Sequence, residues 1–194
     1  MSWHTSILLI EEQTPSDFGQ LLEELGFADC KPNGITDFES ATSSSYKDKS
    51  VAHVDGWTVL CDGMFFYKVN FAVDTEPPMT NGLWPVPVDK VLCEKTAGGS
   101  KALGILLEGA SCSYGFTWYK AGVLKRGFLS QESEVVFSEG EPLPAEAELD
   151  DDNLESGILH MMSTLCVPFE KLASTDFQVY EYGGDYGLKS LGLT

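Results

Sequence analysis

Ser6-Ile7-Leu8-Leu9-Ile10 is a short run of apolar residues without alternation, the pattern of a strand covered on both faces. Thr14-Pro15-Ser16-Asp17 follows and predicts a helix start, with a cap, a proline at the first position and an acid in the first turn. Phe18, Leu21, Leu22 and Leu25 then recur at helical spacing, and Gly26 is placed to stop the helix. Residues 29–50 lose this periodicity, and the Ser/Thr-rich stretch predicts a flexible surface loop over 36–50. A short helix at Ile35 to Ala41 is the alternative there, because so long a loop is unusual in a compact domain.

From Val51 the pattern becomes that of strands. Val51 to Val54, Trp57 to Cys61 and Met64 to Val73 are rich in β-formers and separated by Asp55-Gly56 and Asp62-Gly63, both hairpin signals. Asp55-Gly56 is also compatible with a bulge inside one longer strand. A proline-rich crossing over residues 75–89 leads to a predicted helix at Val88 to Lys95, ended by Gly98-Gly99. A second meander follows at Ala102 to Glu108, Ser113 to Lys120, Val123 to Leu129 and Glu134 to Phe137, with connectors short enough for antiparallel neighbours. Leu154, Ile158, Met161, Met162 and Leu165 mark a C-terminal helix, and Phe177 to Tyr180 a last strand. The expected architecture is α+β: one domain over residues 1–194, with a bent antiparallel sheet of two meanders and a few flanking helices.

Charge changes this picture more than composition does. The 194 residues are 43% hydrophobic and 22% charged, ordinary for a globular chain, yet 30 acidic residues oppose 12 basic ones for a net −18. The excess is uneven, with eleven Asp and Glu and no Lys or Arg from Gly127 to Glu170. Such a surface repels a phosphate backbone, which argues against direct nucleic-acid binding. It is either a solubilising surface or one that meets a basic protein partner. No apolar run reaches the length of a membrane span.

Chemistry-bearing motifs are scarce. Cys30, Cys61, Cys93, Cys112 and Cys166 form no C-x-x-C pair, and several lie in apolar runs as free buried thiols do. With an N-terminus unlike a signal peptide, they point to the cytoplasm. Gly98-Gly99-Ser100-Lys101 lacks the remaining residues of a phosphate loop and reads as a plain connector. Asp150-Asp151-Asp152 lacks the glycine of a calcium loop and reads as acid at a helix N-terminus. His4, His53 and His160 are scattered, with no acid or cysteine at ligand spacing. The sequence thus nominates no catalytic, metal or cofactor-binding residue. Trp84, in the proline-rich crossing, is either an exposed interface anchor or a lid on the core.

The segment Ser113-Tyr114-Gly115-Phe116-Thr117-Trp118-Tyr119-Lys120-Ala121-Gly122-Val123-Leu124-Lys125-Arg126, followed by Gly140-Glu141-Pro142-Leu143-Pro144-Ala145-Glu146, resembles a pattern in uncharacterised bacterial α+β proteins. Some such small acidic proteins resemble immunity proteins, which neutralise a toxin. The resemblance covers about residues 100–170, departs from the pattern at Ala121, and brings no catalytic residue with it. With it, the acid excess points to a non-catalytic binding protein whose acidic surface meets a basic partner; charge pattern and the proline-flanked tryptophan, not the resemblance, give Trp84, Glu146, Glu148, Asp150, Asp151 and Asp152 as candidate contacts. The alternative is a small hydrolase or transferase whose polar site is assembled from separate segments.

Overall fold

The computed structural model describes residues 3–43, 47–63, 79–80, 83–149 and 153–183. Nine strands build one open antiparallel sheet: β1 (His4–Glu11), β2 (Cys30–Thr36), β3 (Asp48–Val54), β4 (Trp57–Asp62), β7 (Lys101–Glu108), β8 (Ser113–Lys120), β9 (Val123–Gln131), β10 (Glu134–Glu139) and β11 (Phe177–Tyr182). Their order is β10-β9-β8-β7-β1-β4-β3-β11-β2, while β5 (Met79–Thr80) and β6 (Trp84–Pro85) form a small separate ribbon. The helices are α1 (Phe18–Glu24), α2 (Phe38–Thr42), α3 (Val86–Thr96), α4 (Leu154–Leu165) and α5 (Phe169–Ala173), with a 3-10 turn at Pro144–Glu148.

The first strand is the middle one. Ile7 sits opposite Cys61 of β4 on one side and Ile105 of β7 on the other. Because side chains alternate along a strand, Leu8 and Ile10 enter one core with α1 and α3. Ile7 and Leu9 enter a second core with α2, α4 and α5. The unbroken apolar run at residues 7–10 therefore has its physical cause in two covered faces, as expected.

The second meander is observed as β7-β8-β9-β10. Asp55-Gly56 makes a hairpin rather than a bulge, joining Val54 to its partner Trp57. Both turn residues have positive φ, as a tight hairpin twist requires. Of the first predicted meander only the β3–β4 hairpin is seen, since Met64 to Val73 lie outside the described residues. β11, the last strand, enters between β3 and β2.

Two other expectations are corrected. In the segment read as a flexible loop, the alternative of a short helix is what forms: α2 occupies 38–42, between β2 from Cys30 and β3 from Asp48. β2 carries Pro32 and Gly34 and is mostly exposed, so neither composition nor burial marks it as a strand. It is held by pairing with β11. The cap of α1 is Asp17, not Thr14; Asp17 Oδ1 accepts the Gln20 N–H at 2.9 Å. Gly26 does end the helix, with the Phe27 N–H reaching Leu22 O and the Gly26 N–H reaching Glu23 O. Among the described residues no helix is long and apolar enough to cross a membrane.

Candidate functional site

The acidic stretch begins on the last strand of the meander, β10, which among the described residues is an edge strand of the sheet. One aromatic residue, Phe137, anchors it by folding over Gly127, where a Cβ would come within 2.5 Å of the ring. Beside it Val135 and Val136 are 57% and 52% exposed, flanked by exposed Glu132, Glu134, Glu139 and Glu141. A register shift between Val135 and Phe137 puts a bulge in the strand. Exposed apolar residues on an unpaired edge invite a further strand, and bulges and charges are how an edge restricts what it accepts.

The connector after β10 is fixed by the chain's only arginine. Arg126 Nε donates to Glu146 Oε1 at 3.0 Å and Nη2 to Oε2 at 2.9 Å. Its Nη1 donates to Ser138 Oγ and to the carbonyls of Gly127 and Glu139. The guanidinium lies against the rings of Phe116 and Phe128. Glu146 Oε1 also accepts the Leu143 N–H at 2.6 Å, setting the first turn of the 3-10 segment. Gly140 has φ +78°, and a Cβ there would stand 1.9 Å from Lys125 O. Arg126, Gly140 and Glu146 of the resemblance pattern thus form a structural clamp that pins the connector to β9.

Glu146 therefore has its charge neutralised inside the molecule, with only 10% of its side chain exposed. Glu148, two residues on, is exposed, with His160 Nε2 3.0 Å from its Oε2. Asp150, Asp151 and Asp152 lie outside the described residues, directly before α4. The start of α4 borders a polar recess of about 320 Å³ lined by Tyr114, Ser130, Ser133, Asn153 and Glu155, with the exposed thiol of Cys112 at its rim. Burial, and then the Glu155 charge, push the Tyr114 phenol up from its usual value. Ser133 belongs to the β9–β10 turn, so recess and edge strand adjoin.

Trp84 is the lid and not an exposed anchor. It is fully buried, and its indole N–H donates to Thr117 Oγ1 at 2.6 Å. The slot it fills exists because Gly104 has no side chain; a Cβ there would approach the indole to 2.6 Å. The prolines around it describe the path of the chain, whereas its side chain turns inward.

The histidines stay apart. His4 Nδ1 lies 2.6 Å from Glu108 Oε1, a pairing 104 residues apart that spacing does not reveal. His53 Nδ1 lies 3.2 Å from Thr58 Oγ1, whose hydroxyl donates to Glu12. Thr58 is only 1% exposed and its proton is committed to a carboxylate, so this hydroxyl is not positioned to attack a substrate. Among the described residues no group of three or more His, Cys, Asp or Glu is arranged to hold a metal ion.

A second buried ion pair escaped the sequence. Lys49 Nζ lies 3.1 Å from Asp62, both side chains fully buried, with the ammonium 5.0 Å from the centre of the Phe27 ring. Lysine is rarely buried unless paired, and nothing in the local sequence marks this one. Lys101, the first residue of β7 after the glycine-rich turn, pairs with Glu11 at 3.8 Å, and its backbone N–H donates to the same carboxylate.

Scans of the chain against protein-family models, curated proteins and solved structures find no match.

Proposed function

We propose that this protein is a non-catalytic binding protein for a basic partner, and that β10 is the strand on which the partner docks. The reading rests on one observation: β10, an edge strand among the described residues, exposes Val135 and Val136 between Glu132/Glu134 and Glu139/Glu141. An extended partner segment carrying Lys or Arg around apolar residues satisfies the unpaired backbone groups and both kinds of side chain. A second copy of this chain is a poor occupant, because antiparallel pairing of β10 with itself brings glutamate against glutamate. The clamp contributes by holding the C-terminal end of β10 in place. Glu148 and, by sequence, Asp150 to Asp152 extend the negative field that attracts the partner. The immunity-type form of this reading, with a toxin as the partner, draws on the resemblance of residues 100–170.

The test uses a synthetic peptide of about eight residues alternating Lys and Val, roughly one strand in length. A second peptide of the same charge carries a central proline that cannot join a ladder. The first peptide is expected to bind, to protect the β10 amides from exchange, and to lose affinity as salt rises. The charge reversal Glu134→Lys with Glu139→Lys should weaken it more than about tenfold. Asp150→Asn, Asp151→Asn and Asp152→Asn together should lower the association rate several-fold at low salt and leave dissociation nearly unchanged, with α4 checked by circular dichroism. Equal binding of the proline peptide overturns strand addition. Indifference to salt and to both sets of substitutions overturns the basic partner.

A further inference from the structure

A different part of the surface has the chemistry of a small-molecule site. Trp3, α2 and α5 enclose a cleft of about 350 Å³, within the size range of ligand pockets. It lies over the middle of the sheet, where α2 meets β1, β4 and β11. β1 is four strands from β10, about 19 Å away at ordinary strand spacing, so the cleft is separate from the docking edge.

The rings of Trp3 and Phe169 form the accessible part of one wall, backed by Phe38, which is only 3% exposed. Trp3 and Phe38 have centroids 6.3 Å apart, and Phe169 meets Phe38 edge-on at 5.6 Å. Phe169 is 38% exposed, large for a phenylalanine. Its polar lining residues are Asp37, Glu39, Thr42 and Ser43, with no lysine or arginine among the described residues that line it. Thr42 spends its proton on the carbonyls of Phe38 and Glu39. The backbone N–H of Ser40, and then its side chain, hold Asp37 below the usual carboxylate range, so it is charged at neutral pH.

An anion is repelled here, and a neutral apolar guest gains nothing from the two carboxylates. Aromatic faces and carboxylates together favour a cation whose outer surface is hydrocarbon. We propose that this cleft binds a small organic ammonium ion, with its alkyl groups against Trp3 and Phe169 and its charge balanced by Asp37 and Glu39. A quaternary ammonium fits best, because it loses little hydration on leaving water and packs directly on the rings.

Titration calorimetry with choline, beside its uncharged carbon isostere dimethylbutanol, tests the assignment. Choline is expected to bind in the millimolar range or tighter and at least about tenfold better than the isostere. Phe169→Leu retains apolar bulk without the π face, and Glu39→Gln retains shape without charge. Each is at an exposed position and should weaken choline several-fold while circular dichroism stays unchanged. Equal affinity for choline and the isostere, full affinity in both variants, or no heat with choline at about 10 mM overturns the assignment.

Discussion

Trp84 shows how a single residue is decided by something far off in the sequence. Prolines on its chain path suggest a surface segment, but the indole settles over β7 because Gly104 leaves the space and Thr117 offers an acceptor at 2.6 Å. Gly104→Ala puts a methyl group 2.6 Å from the indole and 2.7 Å from the Thr117 hydroxyl, and neither can retreat within a packed core. Denaturant unfolding should show a loss of about 1–3 kcal/mol for this variant. Thr117→Val keeps the shape but leaves the indole N–H without this acceptor, at a cost of about 1–3 kcal/mol. If Gly104→Ala is as stable as the wild type, the slot does not seat the tryptophan.

Between elements the Arg126–Glu146 clamp has the largest consequence. A paired charge at this burial is costly to break from one side, because the other charge is left without its partner. Arg126→Lys keeps the net charge but cannot form the two-pronged bond to Glu146 while also reaching Ser138 and the carbonyls of Gly127 and Glu139. The expected loss is on the order of 2–4 kcal/mol, with faster amide exchange in β10 and in residues 140–149. The same variant should bind the Lys-Val peptide less well although its charge is unchanged, because the docking strand is no longer held. Unaltered exchange in β10 would show that pairing with β9 and Phe137 secure the strand without the clamp. The pattern of residues at this clamp was legible in the sequence as glycine, prolines and acid between sheet and helix. That it is a clamp was not, since its two poles are 20 residues apart and meet only when β9 and the 3-10 turn are packed.

At the scale of the whole molecule, burial makes the fold sensitive to alkali. Burial, and then the Asp62 charge, push the Cys61 thiol well above its ordinary 9.0, and burial with the Asp89 hydrogen bond does the same for the Tyr119 phenol. Groups whose pKa is raised by folding hold their protons more tightly folded than unfolded. Their contribution is complete below the unfolded pKa and is lost as pH rises beyond it. Stability from urea unfolding should therefore be flat approaching about pH 9 and then fall, each such group adding about 1.4 kcal/mol per pH unit to the slope. Cys61→Ala should make that fall shallower by one group, and an unchanged slope would mean that Cys61 is not what titrates. Local pattern was enough to determine that β1 is a strand covered on both faces, the α1 stop, the β7–β10 meander, α4 and the concentration of acid after Gly127, because periodicity, turn chemistry and charge are properties of neighbours in the chain. Tertiary structure alone decided that β2 is a strand, that Trp84 is buried, that Glu146 is neutralised while Glu134 and Glu139 stay exposed, and that Lys49 meets Asp62. Each of these depends on a partner brought close by the sheet order, and the sheet order is set by which apolar faces can be covered at once.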